Sequence, residues 1–234
     1  MRSRFHQELD ELRAKLLRMG GMAEQAVDRA CQAYIDRDLK RCQMVLEGET
    51  QINIAEREID ELAFDLLAMQ QPMAVDLRFI LAVTKINADL ERVGDQAVNI
   101  AKLMLATREL PTDQTIVEHL AEMGDLVVRM LRTSIEALVR RDIHLALRLP
   151  EMDDPVDLLN RNMYRHVVAL ADDPRKLEWG VLMDVVSRQL ERVGDNAVDI
   201  GEQVSFLLTG EFREFTDASH DVSPLPLLPG SLGS

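Results

Sequence analysis

Aromatic residues make up only 4% of the 234-residue chain, with one Trp and two Tyr, which argues against the aromatic-rich strands of a sheet protein. Cysteine is almost missing. Cys31 and Cys42 form neither a CxxC pair nor a disulfide framework, so they read as small buried hydrophobes in a reducing compartment. No apolar run approaches the ~20 residues of a membrane span, and the N-terminus passes straight into an amphipathic pattern. The chain therefore reads as soluble, cytoplasmic and not inserted in a membrane. Positive charge is also short: 27 Lys and Arg face 41 Asp and Glu, a formal charge of −14. Such a field repels nucleic acid phosphates and anionic lipid, so nucleic acid is excluded as a partner. What remains is a chain 47% hydrophobic with 12 Met, suited to Leu-, Ala- and Met-rich helices. The expected class is all-α.

Apolar residues recur at spacings of three and four from Phe5 through Leu9, Leu12, Leu16, Met19, Ala23, Ala26 and Ala30, the mark of a helix with one buried stripe. A second helix resumes after Asp36-Arg37-Asp38 and stops at Gln71-Pro72. The third starts near Asp76, a candidate cap, and runs through Val83, Leu90 and Ala97 to Met104. Leu110-Pro111-Thr112-Asp113 reads as a linker whose Thr112 or Asp113 caps the next helix. The second half repeats this plan. Met19-Gly20 returns as Met123-Gly124, Arg37-Asp38 as Arg141-Asp142, and Glu49/Asn53 as Asp153/Asp157, all at an offset of 104. Beyond the second turn the offset is 100, pairing Leu90–Asp95 with Leu190–Asp195; the missing residues fall in a turn, where deletions are tolerated. The expected architecture is two tandem, pseudo-symmetric three-helix bundles, 1–109 and 110–215, followed by a disordered tail over 216–234.

Each third helix carries the same string, Leu-Glu-Arg-Val-Gly-Asp, so Glu91 and Asp95, and again Glu191 and Asp195, project from one helix face. At about 100° per residue, Glu91 and Asp95 lie roughly 130° and 170° from the centre of the apolar stripe, facing away from the bundle core. Acids on an outer face are usually just solvated. Antiparallel pairing adds partners, however: a hairpin centred on Pro72 sets Glu49 opposite Asp95 and Asn53 opposite Glu91, and one centred on Pro174 sets Asp153 opposite Asp195 and Asp157 opposite Glu191. Three or four carboxylates at one level need a neutraliser, and a hard cation held by oxygen ligands is the natural one. Glu49, Asn53, Glu91, Asp95, Asp153, Asp157, Glu191 and Asp195 are therefore the candidate metal ligands. Oxygen ligands suit magnesium, manganese, calcium or oxidised iron and argue against a structural zinc site. Prolines 150 and 155 are expected to interrupt the second copy near Asp153. Gly94 and Gly194 imply close approach of a neighbouring backbone, and Arg92 and Arg192 either support the ligands or balance surface acids.

None of His6, His119, His144, His166 and His220 lies three or four residues from a motif acid, so the Glu-x-x-His signature of ferritin-like di-iron proteins is missing. There is no Gly-rich phosphate loop, nucleophile elbow or HExxH motif. An enzyme is not favoured. A carboxylate-bridged metalloenzyme and a metal-free helical scaffold stay open as alternatives.

With Met19-Gly20-Gly21-Met22, Glu47-Gly48-Glu49 to Asn53, Gln71-Pro72 with Asp76-Leu77-Arg78, and both LERVGD strings in view, the chain resembles the PhoU family over roughly residues 4 to 215. The resemblance implies paired three-helix bundles whose E/DxxxD motifs bind metal ions, sometimes as multinuclear clusters on the outer surface. The ion then stays open among iron, manganese, magnesium and zinc. It also implies negative regulation of phosphate uptake in the cytoplasm through the phosphate ABC transporter and its sensor histidine kinase, by a homodimer or larger assembly. Three departures stand out: Asn53 replaces an acid, Pro155 enters a motif, and Arg175-Lys176-Leu177 has no DLR-like counterpart.

Overall fold

The computed structural model describes residues 2–70, 72 and 74–215, so the tail expected over 216–234 and Gln71 of the first turn lie outside the described residues. The described chain is helical, without strands. Its first half holds α1 (Arg2–Asp36), α2 (Leu39–Gln70) and α3 (Val75–Ala106). The second holds α4 (Gln114–Arg140), a short α5 (Ile143–Leu147), α6 (Leu149–Val168) and α7 (Pro174–Thr209). None of these helices is long and apolar enough to cross a membrane.

The repeated Arg-Asp pairs are one device used twice. Arg37 and Arg141 take left-handed backbone, φ 54° and 52°, at the ends of α1 and α4, and the next residue caps the following helix. Asp38 accepts from the Lys40 amide at 2.9 Å and Asp142 from the His144 amide at 2.8 Å, each satisfying a donor that a helix start leaves open. Of the two linker candidates it is Asp113, accepting from Thr115 and Ile116, that caps α4; Asp173 does the same for α7, ahead of Pro174. Two expectations fail here. Asp76 does not cap α3: the cap position is Ala74, with no side-chain bond, and Asp76 lies in the first turn, where its charge favours the helix dipole. Nor do the prolines interrupt the second copy at Asp153. α6 starts at Leu149 with Pro150 in its first turn, where a missing N–H is harmless, and continues through Pro155. The break falls ahead of them, at Arg148, and splits off α5.

The halves are held together by two helix pairs, α1 on α4 and α3 on α7. The repeated Met-Gly pairs explain the first. A β-carbon at Gly20 would stand 2.8 Å from Ile135, and one at Gly124 would stand 2.9 Å from the Cys31 sulfur. Ile135 and Cys31 are themselves equivalent positions, offset by 104, so the two contacts are mates across a pseudo-two-fold axis between antiparallel helices. Arg132 and Glu24 close the same seam at 2.6 Å. Burial pushes the Cys31 thiol up to about 12, so this cysteine is an inert packing group, as is the fully buried Cys42. Leu12, Leu16 and Met19 fill the first core and Met123, Val127 and Met130 the second, all fully buried.

These glycines predict opposite outcomes on substitution. Gly48, inside α2, has no atom within 4 Å of a would-be β-carbon, so Gly48→Ala stabilises by about 1 kcal/mol through helix propensity alone. Gly124→Leu overpacks the α1–α4 seam and destabilises by about 1–3 kcal/mol or more. Urea denaturation midpoints check both; a Gly124→Leu protein as stable as the parent would show that the seam is loosely packed.

Candidate metal centre

Helices α2 and α3 meet in the antiparallel register expected from the sequence to within a residue or two. A β-carbon at Gly94 would touch Ile52, and the Asn87 amide donates to the Glu56 carbonyl at 3.0 Å and to Asp60 Oδ1 at 2.9 Å. Glu49 and Asn53 on α2 and Glu91 and Asp95 on α3 therefore fall along one stretch of this hairpin. Glu49, Asn53 and Glu91 are half-buried and Asp95 is exposed. Burial, then the Asp95 and Glu56 carboxylates, raise the Glu91 carboxyl above its ordinary value, against Arg92. Glu56 was not legible as a site residue: it lies outside the E/DxxxD spacing, one turn beyond Asn53. Its carboxylate brings to this hairpin the acid that Asn53 does not supply.

The second hairpin keeps the register, with Ser187 donating to Asn160 Oδ1 at 2.8 Å. Asp153 is buried, and its Oδ1 occupies the space a Gly194 β-carbon would fill, at 2.5 Å. Asp157 is nearly buried at the side chain, with Arg161 3.8 Å away, while Glu191 is half-buried and Asp195 exposed. The close approach at Gly94 and Gly194 is thus made by a side chain, and not by a neighbouring backbone as expected. In the first copy that side chain is Ile52; in the second it is a carboxylate. Among the described residues no three His, Cys, Asp or Glu side chains converge to hold a single ion. The acids form two strips along hairpin faces and do not close into cages.

A further acidic group lies where α3 meets α7, and it was missed because it depends on contact between the halves. Asp89 is buried, pairs with Arg92 at 2.9 Å, and is pushed up to about 7 by burial and then by the Asp199 carboxylate, against Arg92 and Lys85. Burial raises the Asp199 and Glu202 carboxyls as well. Arg92 therefore serves this seam and balances nearby acids. At the symmetry-related place the same contact is neutral: Asn99 donates to Gln189 at 3.4 Å. Comparison of the repeats could have found this, since Asp89 aligns with Gln189 and Asn99 with Asp199 at the offset of 100. Contact also brings together His119 of α4 and His166 of α6, with ring centroids 4.7 Å apart. His119 Nε2 sits 2.8 Å from the Leu159 carbonyl, and burial and then His119 lower the His166 value.

Comparison with known proteins gives this arrangement a family. The model described as PhoU domain matches residues 16–104 and again 120–204. The chain is 38% identical over 220 residues to a "Phosphate-specific transport system accessory protein PhoU homolog" of Pseudomonas putida, covering 92% of this chain and 83% of that one. A protein of the same description from Pseudomonas aeruginosa is 37% identical, covering 92% and 88%. Among solved structures, PhoU from Pseudomonas aeruginosa superposes with a TM-score of 0.85 at 36% identity, covering 88% of this chain and all of that one. The phosphate transport system regulatory protein PhoU from Streptococcus pneumoniae gives 0.82 at 27%, covering 90% and 99%.

The Asp89 seam predicts a pH-dependent stability. Its carboxyl holds a proton up to about pH 7 in the folded chain but only to about 4 when unfolded. Folding therefore takes up a proton between these values, so this group's contribution to stability falls as pH rises through that window and levels off above 7. Asp89→Asn, which removes one of the two repelling carboxylates and leaves Asp199 in place, should stabilise more at pH 8 than at pH 5. The difference is on the order of 2 kcal/mol. Denaturation midpoints displaced equally at both pH values would show that Asp89 does not titrate in this range.

Proposed function

The chain belongs to the PhoU family, and we propose that it regulates phosphate transport, restraining uptake and phosphate-starvation signalling through the phosphate ABC transporter and its sensor histidine kinase. It works on the cytoplasmic side of the membrane, as a homodimer. The observation that carries the reading is that family likeness covers both halves, and relatives at this identity are named phosphate transport accessory proteins. They are described as accessory or regulatory proteins, not as enzymes, which favours an adaptor acting by contact.

We further propose that the acidic strips hold metal ions. Glu49, Glu91 and Asp95, with the amide oxygen of Asn53, supply oxygen donors on the first hairpin, and Asp153, Asp157, Glu191 and Asp195 supply four carboxylates on the second. Two features support the fit. Gly194 leaves room for the Asp153 carboxylate where any other residue would crowd it. Repulsion from Asp95 and Glu56 acts on Glu91, and a cation would relieve it. A bound ion would neutralise part of the −14 charge and draw the two helices of a hairpin together. Oxygen-only donors suit iron in its oxidised state, manganese or magnesium, and leave zinc in a carboxylate cluster as the less favoured ion.

Purified protein should carry stoichiometric metal by elemental analysis and melt at a higher temperature with metal than after chelation. Glu91, Asp95, Glu191 and Asp195 changed together to Ala should abolish both effects. A protein that holds no metal and does not respond to chelator would remove the metal reading and leave the regulatory one intact. For regulation, a deletion strain should express phosphate-starvation genes in phosphate-rich medium and be silenced by the wild-type chain. Unchanged expression in the deletion strain would sink that reading.

A further inference from the structure

Helices α1 and α2 leave a trough between them in the first half. Two cavities of about 190 and 200 Å³ lie end to end and share Met22 and Gln51. From the level of Lys15 to that of Arg29 the trough runs roughly 20 Å, at 1.5 Å per helical residue. Its floor is apolar, with Met22, Ala26, Val45 and Ile52, and Met44 stands 46% exposed at one end. Lys15, Arg18 and Arg29 line the α1 wall. The acid in the lining, Glu58, is already held by Lys15. Arg18 and Arg29 have no acid within ion-pair distance among the described residues.

The equivalent place in the second half is built differently. At the offset of 104, Gly48 becomes Met152, which packs against the core, and Lys15, Arg18 and Arg29 become His119, Glu122 and Thr133. One copy fills this position with its own side chain and has its arginines elsewhere, Arg129 and Arg148 standing where the first copy has Gln25 and Met44; the other keeps a helix-interior glycine. A β-carbon there would meet nothing within 4 Å, as at Gly21 and unlike Gly94, Gly124 and Gly194, each of which admits a neighbour. The smallness of Gly48 serves the open trough and not the packing of the bundle.

We propose that the trough docks one acidic amphipathic helix of a partner protein, its apolar side seated between Met22 and Met44 and its Asp or Glu residues along Arg18 and Arg29. Flexible Met side chains adapt to such a guest, and helix-in-groove docking needs about this length. Charge selects the partner: on a chain of −14, an acidic helix is repelled by most of the surface and drawn to this basic wall. Docking here is independent of metal binding, which concerns other residues.

The probe is a fluorescent 18-residue peptide with Leu at helical spacing and Glu elsewhere, added to the full chain. A Lys-for-Glu counterpart and a scrambled sequence serve as controls. The Glu peptide should bind and shift the methyl resonances of Met22 and Met44, and the controls should not. R18E together with R29E should weaken binding at least about tenfold. Gly48→Leu, which leaves charge unchanged and has open space for its side chain, should weaken it similarly; circular dichroism melts verify that both variants fold. Equal binding of the Lys peptide, indifference to both variants, or unmoved Met signals would overturn the proposal. So would sedimentation showing that Gly48→Leu dissociates a dimer, which would assign the trough to a second copy of the chain. A rise in peptide affinity on removing residues 216–234 would assign it to the chain's own tail and overturn it as well.

Discussion

The arrangement of this protein depends on how closely α1 approaches α4. A β-carbon at Gly20 or Gly124 would crowd Ile135 or Cys31, so the closeness of this approach relies on both glycines. Each bundle alone would leave a face of its first helix uncovered; antiparallel stacking on the other bundle covers both at once. The same stacking brings α3 against α7, the more extensive of the two contacts between the halves. Glycine inside a helix costs about 1 kcal/mol relative to Ala. Dispersion contacts along four helices offset that loss.

The pseudo-two-fold axis relates backbones more faithfully than it relates charges. On one side of it Asn99 and Gln189 share a neutral hydrogen bond. On the other, burial and then the Asp199 carboxylate push the Asp89 carboxyl up to about 7, and Arg92 compensates only partly. The hairpins diverge in the same way. Gly94 admits an apolar Ile52, whereas Gly194 admits the Asp153 carboxylate. Duplication supplied a common frame on which each copy carries its own chemistry: acids on both hairpin faces, a trough walled by Arg18 and Arg29 on the first bundle, and a histidine pair on the second.

This divergence suits an adaptor. Its chemistry lies along helix faces, and the three long helices of the first bundle expose two different surfaces on either side of α2: the acidic strip shared with α3 and the trough shared with α1.

Much of the fold was legible because helices announce themselves locally. The three-four spacing from Phe5 to Ala30, the Asp113 cap and the hairpin register follow from backbone geometry that neighbouring residues alone dictate. The offsets of 104 and 100 revealed the duplication for the same reason, and with it the placement of Glu49, Asn53, Glu91 and Asp95 on one hairpin and Asp153, Asp157, Glu191 and Asp195 on the other. Local rules misled only where position within a helix mattered: Asp76 lies inside the first turn of α3, and Pro155 sits in α6 without ending it. Contacts between elements distant in sequence could not be read this way. The guests of Gly94 and Gly194, the raised carboxyl of Asp89, the meeting of His119 with His166 and the trough beside Gly48 all depend on which side chain a second helix presents. Burial and electrostatic shifts are properties of the assembled neighbourhood, and no residue carries them in its own identity. The sequence by itself determined the helices, their duplication and the two acidic strips; tertiary packing decided which of those charges are buried, which are balanced and which surface is left open.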